Sequence, residues 1–215
     1  MSVDIHNPAN PSEVVGTFPT MSADDVPAMM ATARAAQREW ARIPQPERGK
    51  IVDAFLDALQ ARTEDIATAI TREMGKVIGE SRGEVNKALG EGRATTRRAS
   101  APIGEVLPSQ KPGTVTYSTR RPRGVIVGIN PWNFPFSTPI RKTIPALVYG
   151  NAIVLKPSIS TPGAAFIMQE VADQTLPKGL FQIAYGSGSL GGALTSAQGV
   201  DAISFTGSVG IGRIV

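Results

Sequence analysis

Apolar residues recur in blocks along this chain, most clearly from Gly124 to Pro157. Val125-Ile126-Val127-Gly128-Ile129 and Ala152-Ile153-Val154-Leu155 are short, β-branched and apolar at successive positions, as in strands covered on both faces. Between them Ile140, Ile144, Leu147 and Val148 recur at helical spacing over Thr138 to Tyr149, and Gly150-Asn151 supplies a stop. Asn130, Pro131, Asn133 and Pro135 break the chain where the first strand must end. The pattern predicts a β-turn-α-β unit whose strands are parallel, since a helical crossover joins them.

The rhythm resumes after Pro157: a helix from Pro162 to about Thr175, a strand at Phe181 to Tyr185, a helix from Ser189 to about Ala197, a strand at Ala202 to Thr206, and a helix opening at Ser208. Strands alternating with helices predict an α/β fold with a doubly wound parallel sheet. Upstream, Ser22-Ala23-Asp24-Asp25 reads as a helix start, continued on one face by Met29, Met30, Ala33, Ala36 and Trp40, the last a core residue. Pro46-Glu47 opens a second helix through Phe55 and Leu59 to about Arg62. Thr63-Glu64-Asp65 caps a third carrying Ile66, Ile70 and Met74, and a charged helix runs from about Val77. Taken alone, these helices also fit an independent bundle or interaction module. Near the start, His6 to Pro11 reads as a polar turn and Glu13 to Phe18 as a short outer strand. Thr114 to Thr119 alternates with a period of two, which predicts a half-exposed strand in a different sheet.

Composition narrows the function classes. With 215 residues, 41% hydrophobic and 19% charged, the chain has ordinary globular composition and enough length for a substantial core. The net charge of +4 comes from scattered Lys and Arg, densest at Arg120-Arg121-Pro122-Arg123. No aromatic-interleaved basic stripe accompanies it, so nucleic acid is not the expected partner. Cys is absent, and His6 is the only histidine, a surface residue lacking metal-ligating neighbours; no metal site is expected. Without a signal-like start or an apolar run of about 18 residues, a soluble, cytoplasmic protein with no membrane partner is expected.

In open α/β sheets ligands bind beyond the carboxyl ends of the strands, which directs attention to Ile129 to Phe136 and Lys156 to Ser160. Asn133 lies just past a strand end, where its amide could donate to a carbonyl oxygen that becomes negative, or close an Asx turn on its own backbone. Lys156 ends a buried strand, where its ammonium needs either an anion or a route to solvent. Gly207-Ser208 stands at a strand-to-helix junction, suited to a phosphate or to a plain Ser N-cap. Arg141, two helical turns beyond Asn133, could grip a carboxylate or remain an exposed charge. Gly186-Ser187-Gly188-Ser189-Leu190-Gly191 matches GxGxxG, but it lies outside the first strand-helix unit and no acid ends the next strand; it is treated as a structural turn with Gly188 near a ligand.

Pro131-Trp132-Asn133-Phe134-Pro135, Val154-Leu155-Lys156-Pro157-Ser158 and Ser204-Phe205-Thr206-Gly207-Ser208, in that order, resemble the NAD(P)-dependent aldehyde dehydrogenase superfamily, as does Glu73-Met74-Gly75-Lys76. The resemblance covers about Ile5 to Val215. It implies a Rossmann-like cofactor domain, with a helical part over 1–103, a bridging and oligomerisation β element over 104–122, and the parallel sheet over 123–215. It implies Asn133 as the oxyanion donor. Cofactor contacts fall to Ile129, Trp132, Lys156, Gly188, Phe205, Gly207 and Ser208, with NAD or NADP as the cofactor and a homo-oligomer in the full-length form. Thr138 to Lys142 is similar to succinate-semialdehyde dehydrogenases, where Arg141 would hold the carboxylate of the aldehyde substrate.

Many NAD-preferring members carry Glu three residues after the Lys; here that position is Ile159, which removes a repulsion against a 2′-phosphate. The family's Cys nucleophile and Glu base belong downstream of the segment that matches Phe205 to Gly212. The expectation is a truncated, amino-terminal portion of such an enzyme, inactive by itself. Two other readings stay open: a non-catalytic nucleotide-binding or assembly module, and an ordinary Rossmann reductase using Gly186 to Gly191.

Overall fold

The computed structural model describes residues 1–215. Four strands form the central sheet: β5 (Val125–Ile129), β6 (Ala152–Lys156), β7 (Phe181–Ile183) and β8 (Ala202–Phe205). Their order is β7-β6-β5-β8 and every pairing is parallel. All five residues of β6 are buried, as its unbroken apolar run requires of a strand covered on both faces. Edge strand β8 is only partly covered.

Helix α5 (Ser137–Val148) connects β5 to β6, and α6 (Gly163–Thr175) connects β6 to β7. Three amino-terminal helices back this pair: α2 (Gln45–Ala61), α3 (Thr63–Met74) and α4 (Ile78–Thr96). On the opposite face lie α1 (Val26–Arg42), packed against β5, β6 and β7, and α7 (Gly188–Thr195). The architecture is therefore α/β and doubly wound, with the strand order reversing beside β5.

Trp40 anchors the end of α1: its ring is fully buried and its indole N–H donates to Leu147 O at 2.7 Å. At the opposite end of the strands from the loops discussed below, Asp201 accepts from Val125 N at 2.7 Å and pairs with Arg34, joining α1 to the entry of β8. The acid that precedes its strand is thus a clasp between elements.

The amino terminus differs from the sequence expectation. Where one outer strand was predicted, β1 (Ser2–Asn7) and β2 (Asn10–Pro19) form an antiparallel hairpin. Ala9 N donates to Asn7 Oδ1 at 2.9 Å, so the polar turn was legible, but the two apolar residues of β1, Val3 and Ile5, gave it too short a period to stand out. The first helix is preceded by a single 3-10 turn, Ala23–Asp25, whose Asp25 carboxylate accepts from Ser22 N. The strand predicted over Thr114 to Thr119 shrinks to β4 (Thr116–Tyr117), paired with β3 (Val106–Leu107). It forms a separate sheet, as expected. However, no element covers either face, so it is exposed throughout rather than half-buried. Short α8 (Val209–Gly212) ends the fold.

Candidate active site

Register brings the first three candidates together. Ile129 pairs with Lys156 on one side and with Phe205 on the other, so three strand ends finish in one row. Beyond this row opens a cleft of about 580 Å³, at the carboxyl edge where the strand order reverses. Ile129, Lys156 and Phe205 line it with Trp132 and Asn133 from the loop after β5. Gly188, Gly207 and Ser208 complete the set predicted from sequence.

The loop after β5 is held by its carbonyls and amides. Thr161 Oγ1 donates to Trp132 O at 3.3 Å, and Lys76 Nζ donates to Asn133 O at 3.2 Å. The Asn133 side chain is solvent-exposed and makes no hydrogen bond within the protein, so its amide is not consumed by an Asx turn. Trp132 is also exposed.

Lys156 is 8% exposed, and its ammonium has one long bond, to Pro157 O at 3.5 Å. Burial lowers its pKa. Such a cation lacks a partner, and the cleft it faces is where one would sit. Asn130, beside it, donates to Gly128 O at 3.3 Å, while its buried Oδ1 has no donor. Sequence reasoning used Asn130 only as a strand breaker; nothing in its spacing marks the orphaned acceptor. Lys142 braces the other wall, donating to Ser204 Oγ at 3.0 Å and Thr206 Oγ1 at 2.9 Å, and burial lowers its pKa too.

Two glycine turns floor the cleft. A Cβ at Gly186 would meet Met21 O at 3.0 Å and the Leu190 side chain at 2.7 Å, whereas a Cβ at Gly188 would meet nothing. Gly186 is thus required for packing and Gly188 leaves open space on the cleft side. A Cβ at Gly207 would strike the Phe205 ring at 2.5 Å, so this ring lies over the turn. Ser208 Oγ accepts from Ile211 N at 3.4 Å as the N-cap of α8.

Arg141 lies elsewhere. Its guanidinium forms a two-point pair with Glu91 of α4 at 2.6 and 2.9 Å and does not line the cleft. Both ionised forms are favoured: the pair raises the Arg141 pKa and lowers that of Glu91. Eight residues past Asn133, the side chain leaves α5 toward α4, a direction that counting turns did not settle.

Two acids from the amino-terminal helices reach the starts of later ones. Glu84 Oε1 accepts from Phe136 N at 3.1 Å and Ser137 N at 3.0 Å, at the start of α5. Glu73 accepts from Gly163 N at 2.9 and 3.0 Å, at the start of α6. Each supplies a carboxylate to orphan helix amides. Their helices were predicted, but side-chain targets 52 and 90 residues away were not readable.

Burial pushes the Glu73 carboxyl up to about 7 against the lowering effect of the Gly163 N–H. The folded state then keeps a proton that the unfolded chain releases above about pH 4.5, so stability falls as pH rises from there to about 7. Glu73→Gln is expected to flatten that slope and to raise stability above pH 7 by on the order of 3 kcal/mol, read from urea unfolding across pH. An unchanged slope would refute it.

The aldehyde dehydrogenase family profile matches residues 1–215. Over 215 residues the chain is 36% identical to the α-ketoglutaric semialdehyde dehydrogenase of Bacillus subtilis, covering 99% of this chain and 44% of that protein. It is 34% identical to the NADP(+) succinate-semialdehyde dehydrogenase GabD of Escherichia coli, again over 99% of this chain and 44% of that protein. The solved structure of lactaldehyde dehydrogenase from Escherichia coli superposes with a TM-score of 0.95 at 33% identity, covering 99% of this chain and 45% of that one. The Rossmann-like architecture and the cleft-lining motifs thus have a common origin: this chain belongs to the aldehyde dehydrogenase family. It spans less than half the length of those relatives.

Proposed function

We propose that this chain is the NAD(P)-binding portion of an enzyme that oxidises an aldehyde to a carboxylic acid. The observation that carries the reading is the row Ile129–Lys156–Phe205, which sets an unneutralised buried ammonium at the edge of a cleft shared with an unengaged Asn133 amide. The residues fit a dinucleotide: Lys156 has a single long bond, to Pro157 O, and no anionic partner, Asn130 Oδ1 lacks a donor, and Gly188 leaves room for close approach. Lys156 would hold ribose hydroxyls. Trp132 would lie beside the phosphates, which the Gly207-Ser208 turn would receive. When bound, the nicotinamide supplies the hydride acceptor. Asn133 would donate to the aldehyde oxygen as negative charge develops on it, a role that favours the transition state over the ground state.

Ile159 borders the cleft and brings no carboxylate to it, so a 2′-phosphate meets no repulsion there and both NAD and NADP are admitted. The semialdehyde names of two relatives support a carboxylate-bearing substrate. Arg141 would hold that carboxylate only by leaving Glu91, so the substrate class rests on the relatives.

The sequence contains no Cys, and the covalent route of the family needs a thiolate, so this chain by itself is expected to bind nucleotide without turnover. Isothermal calorimetry with NAD⁺ and NADP⁺, alongside absorbance assays with succinate semialdehyde and benzaldehyde, tests this. Saturable binding without reduced nucleotide is expected. Absence of binding to either nucleotide would overturn the cofactor reading, and turnover would overturn the inactivity.

The arm from Gly104 to Pro122 favours an additional assembly role. It is exposed along its length, with Val106, Val115 and Tyr117 each more than two-thirds uncovered. We assign it to subunit pairing. Light scattering should show self-association that Val106→Lys with Tyr117→Lys abolishes; a monomer at all concentrations would refute the assignment.

A further inference from the structure

The 131–136 loop carries the amide and the indole that face the cleft, yet between two prolines it has little regular backbone bonding of its own. Beside the Thr161 hydroxyl on Trp132 O, its fastening comes from one buried ion pair between Lys76, in the α3–α4 connection, and Glu84 of α4. Lys76 Nζ donates to Glu84 Oε2 and to Asn133 O, and lies 4.5 Å from the centroid of the Phe134 ring. The other carboxylate oxygen, Glu84 Oε1, takes the amides of Phe136 and Ser137. The two side chains are only 11% and 2% exposed. One pair therefore grips the loop at both ends: the cation holds the carbonyl of the amide-bearing residue, and the anion holds the first amides of α5. Bonding between the partners keeps the two grips in fixed relation.

We propose that Lys76 and Glu84 are positioning residues for the cleft, setting the direction of the Asn133 side chain and the Trp132 wall through the backbone of the loop. Neither lines the cleft, so both act through Asn133 O, Phe134 and the start of α5. Lys76 is suited to this work because its point charge can meet a carboxylate, a carbonyl and a ring face from one position. Glu84 is suited because a carboxylate accepts at both oxygens, and a helix start favours its charge. The proposal deepens the nucleotide-site reading and rests on it only for the affinity readout below.

Hydrogen–deuterium exchange of the Phe136, Ser137 and Thr138 amides in the 215-residue chain tests the positioning, with the amides of β6 as an internal control. Nucleotide affinity is measured in parallel by calorimetry with NAD⁺. Lys76→Met is expected to speed exchange in the loop by about 10-fold or more while β6 changes by less than about 2-fold, a local opening rather than a global one. Lys76→Arg, which retains charge and donors, should restore most of the protection. The NAD⁺ dissociation constant should rise by about 10-fold in Lys76→Met and return toward the native value in Lys76→Arg. Should Lys76→Met not fold, Glu84→Gln carries the test. It preserves an oxygen for the α5 amides but weakens the hold on Lys76, and intermediate exchange confined to the loop is expected. Unchanged loop protection in a folded variant, or equal loosening of the loop and β6, would overturn the proposal. A native chain that binds no nucleotide would remove the cofactor reading alone, since the exchange comparison still decides whether the pair fixes the loop.

Discussion

Trp40→Ala is expected to destabilise the fold by about 3–5 kcal/mol, a lowering of the melting temperature by roughly 6–20 °C for a chain of this size. The substitution empties the largest fully buried side-chain position and strips one of two donors from Leu147 O at the end of α5. Trp40→Phe separates the two effects: it retains much of the volume but removes the indole donor, leaving Leu147 O with the Gly150 N–H alone at 3.0 Å, a loss of about 0.5–1.5 kcal/mol. Urea denaturation followed by circular dichroism reads both. If Phe is as damaging as Ala, the hydrogen bond dominates; if neither variant shifts the midpoint, Trp40 does not anchor α1 as described.

Lys156→Met is expected to move stability and binding in opposite directions. In the folded chain burial disfavours the ammonium, and its depressed pKa means that the unfolded chain binds the proton more tightly. The buried ammonium therefore costs the native state stability that a neutral side chain of similar length does not. Melting temperature should rise. Nucleotide affinity should fall by about 10- to 150-fold, the equivalent of the 1.5–3 kcal/mol typical of hydrogen bonds to a charged group. An ordinary Rossmann reductase using the Gly186 to Gly191 turn would show no change in affinity. Calorimetry and a thermal melt on the same sample separate these outcomes.

Much of this architecture was legible because the central strands carry unbroken β-branched runs and are separated by strong Pro, Gly and Asn punctuation. Register then follows, since a buried strand such as β6 tolerates no slip without exposing its side chains. The row Ile129–Lys156–Phe205 is a consequence of that register, and motifs at three strand ends were enough to nominate it. What escaped the sequence was side-chain direction. Helical spacing put Arg141 near Asn133 but could not say that it would turn to Glu91. Glu73 and Glu84 were visible as helix residues, yet their partners, Gly163 and the start of α5, come from distant parts of the chain. β1 escaped for a different reason: its pairing with β2, not its own weak pattern, makes it a strand.

The position of β5 between β6 and β8 has a consequence for synthesis. β6 follows β5 after one helix, whereas β8 begins 77 residues after β5 begins. During translation the flank of β5 destined for β8 therefore stays bare until residues 202–205 have left the ribosome, and Arg34 waits still longer in sequence for Asp201. Such distant closures slow folding, and a nascent chain paused before residue 202 presents an open strand margin to chaperones and to its neighbours on the polysome.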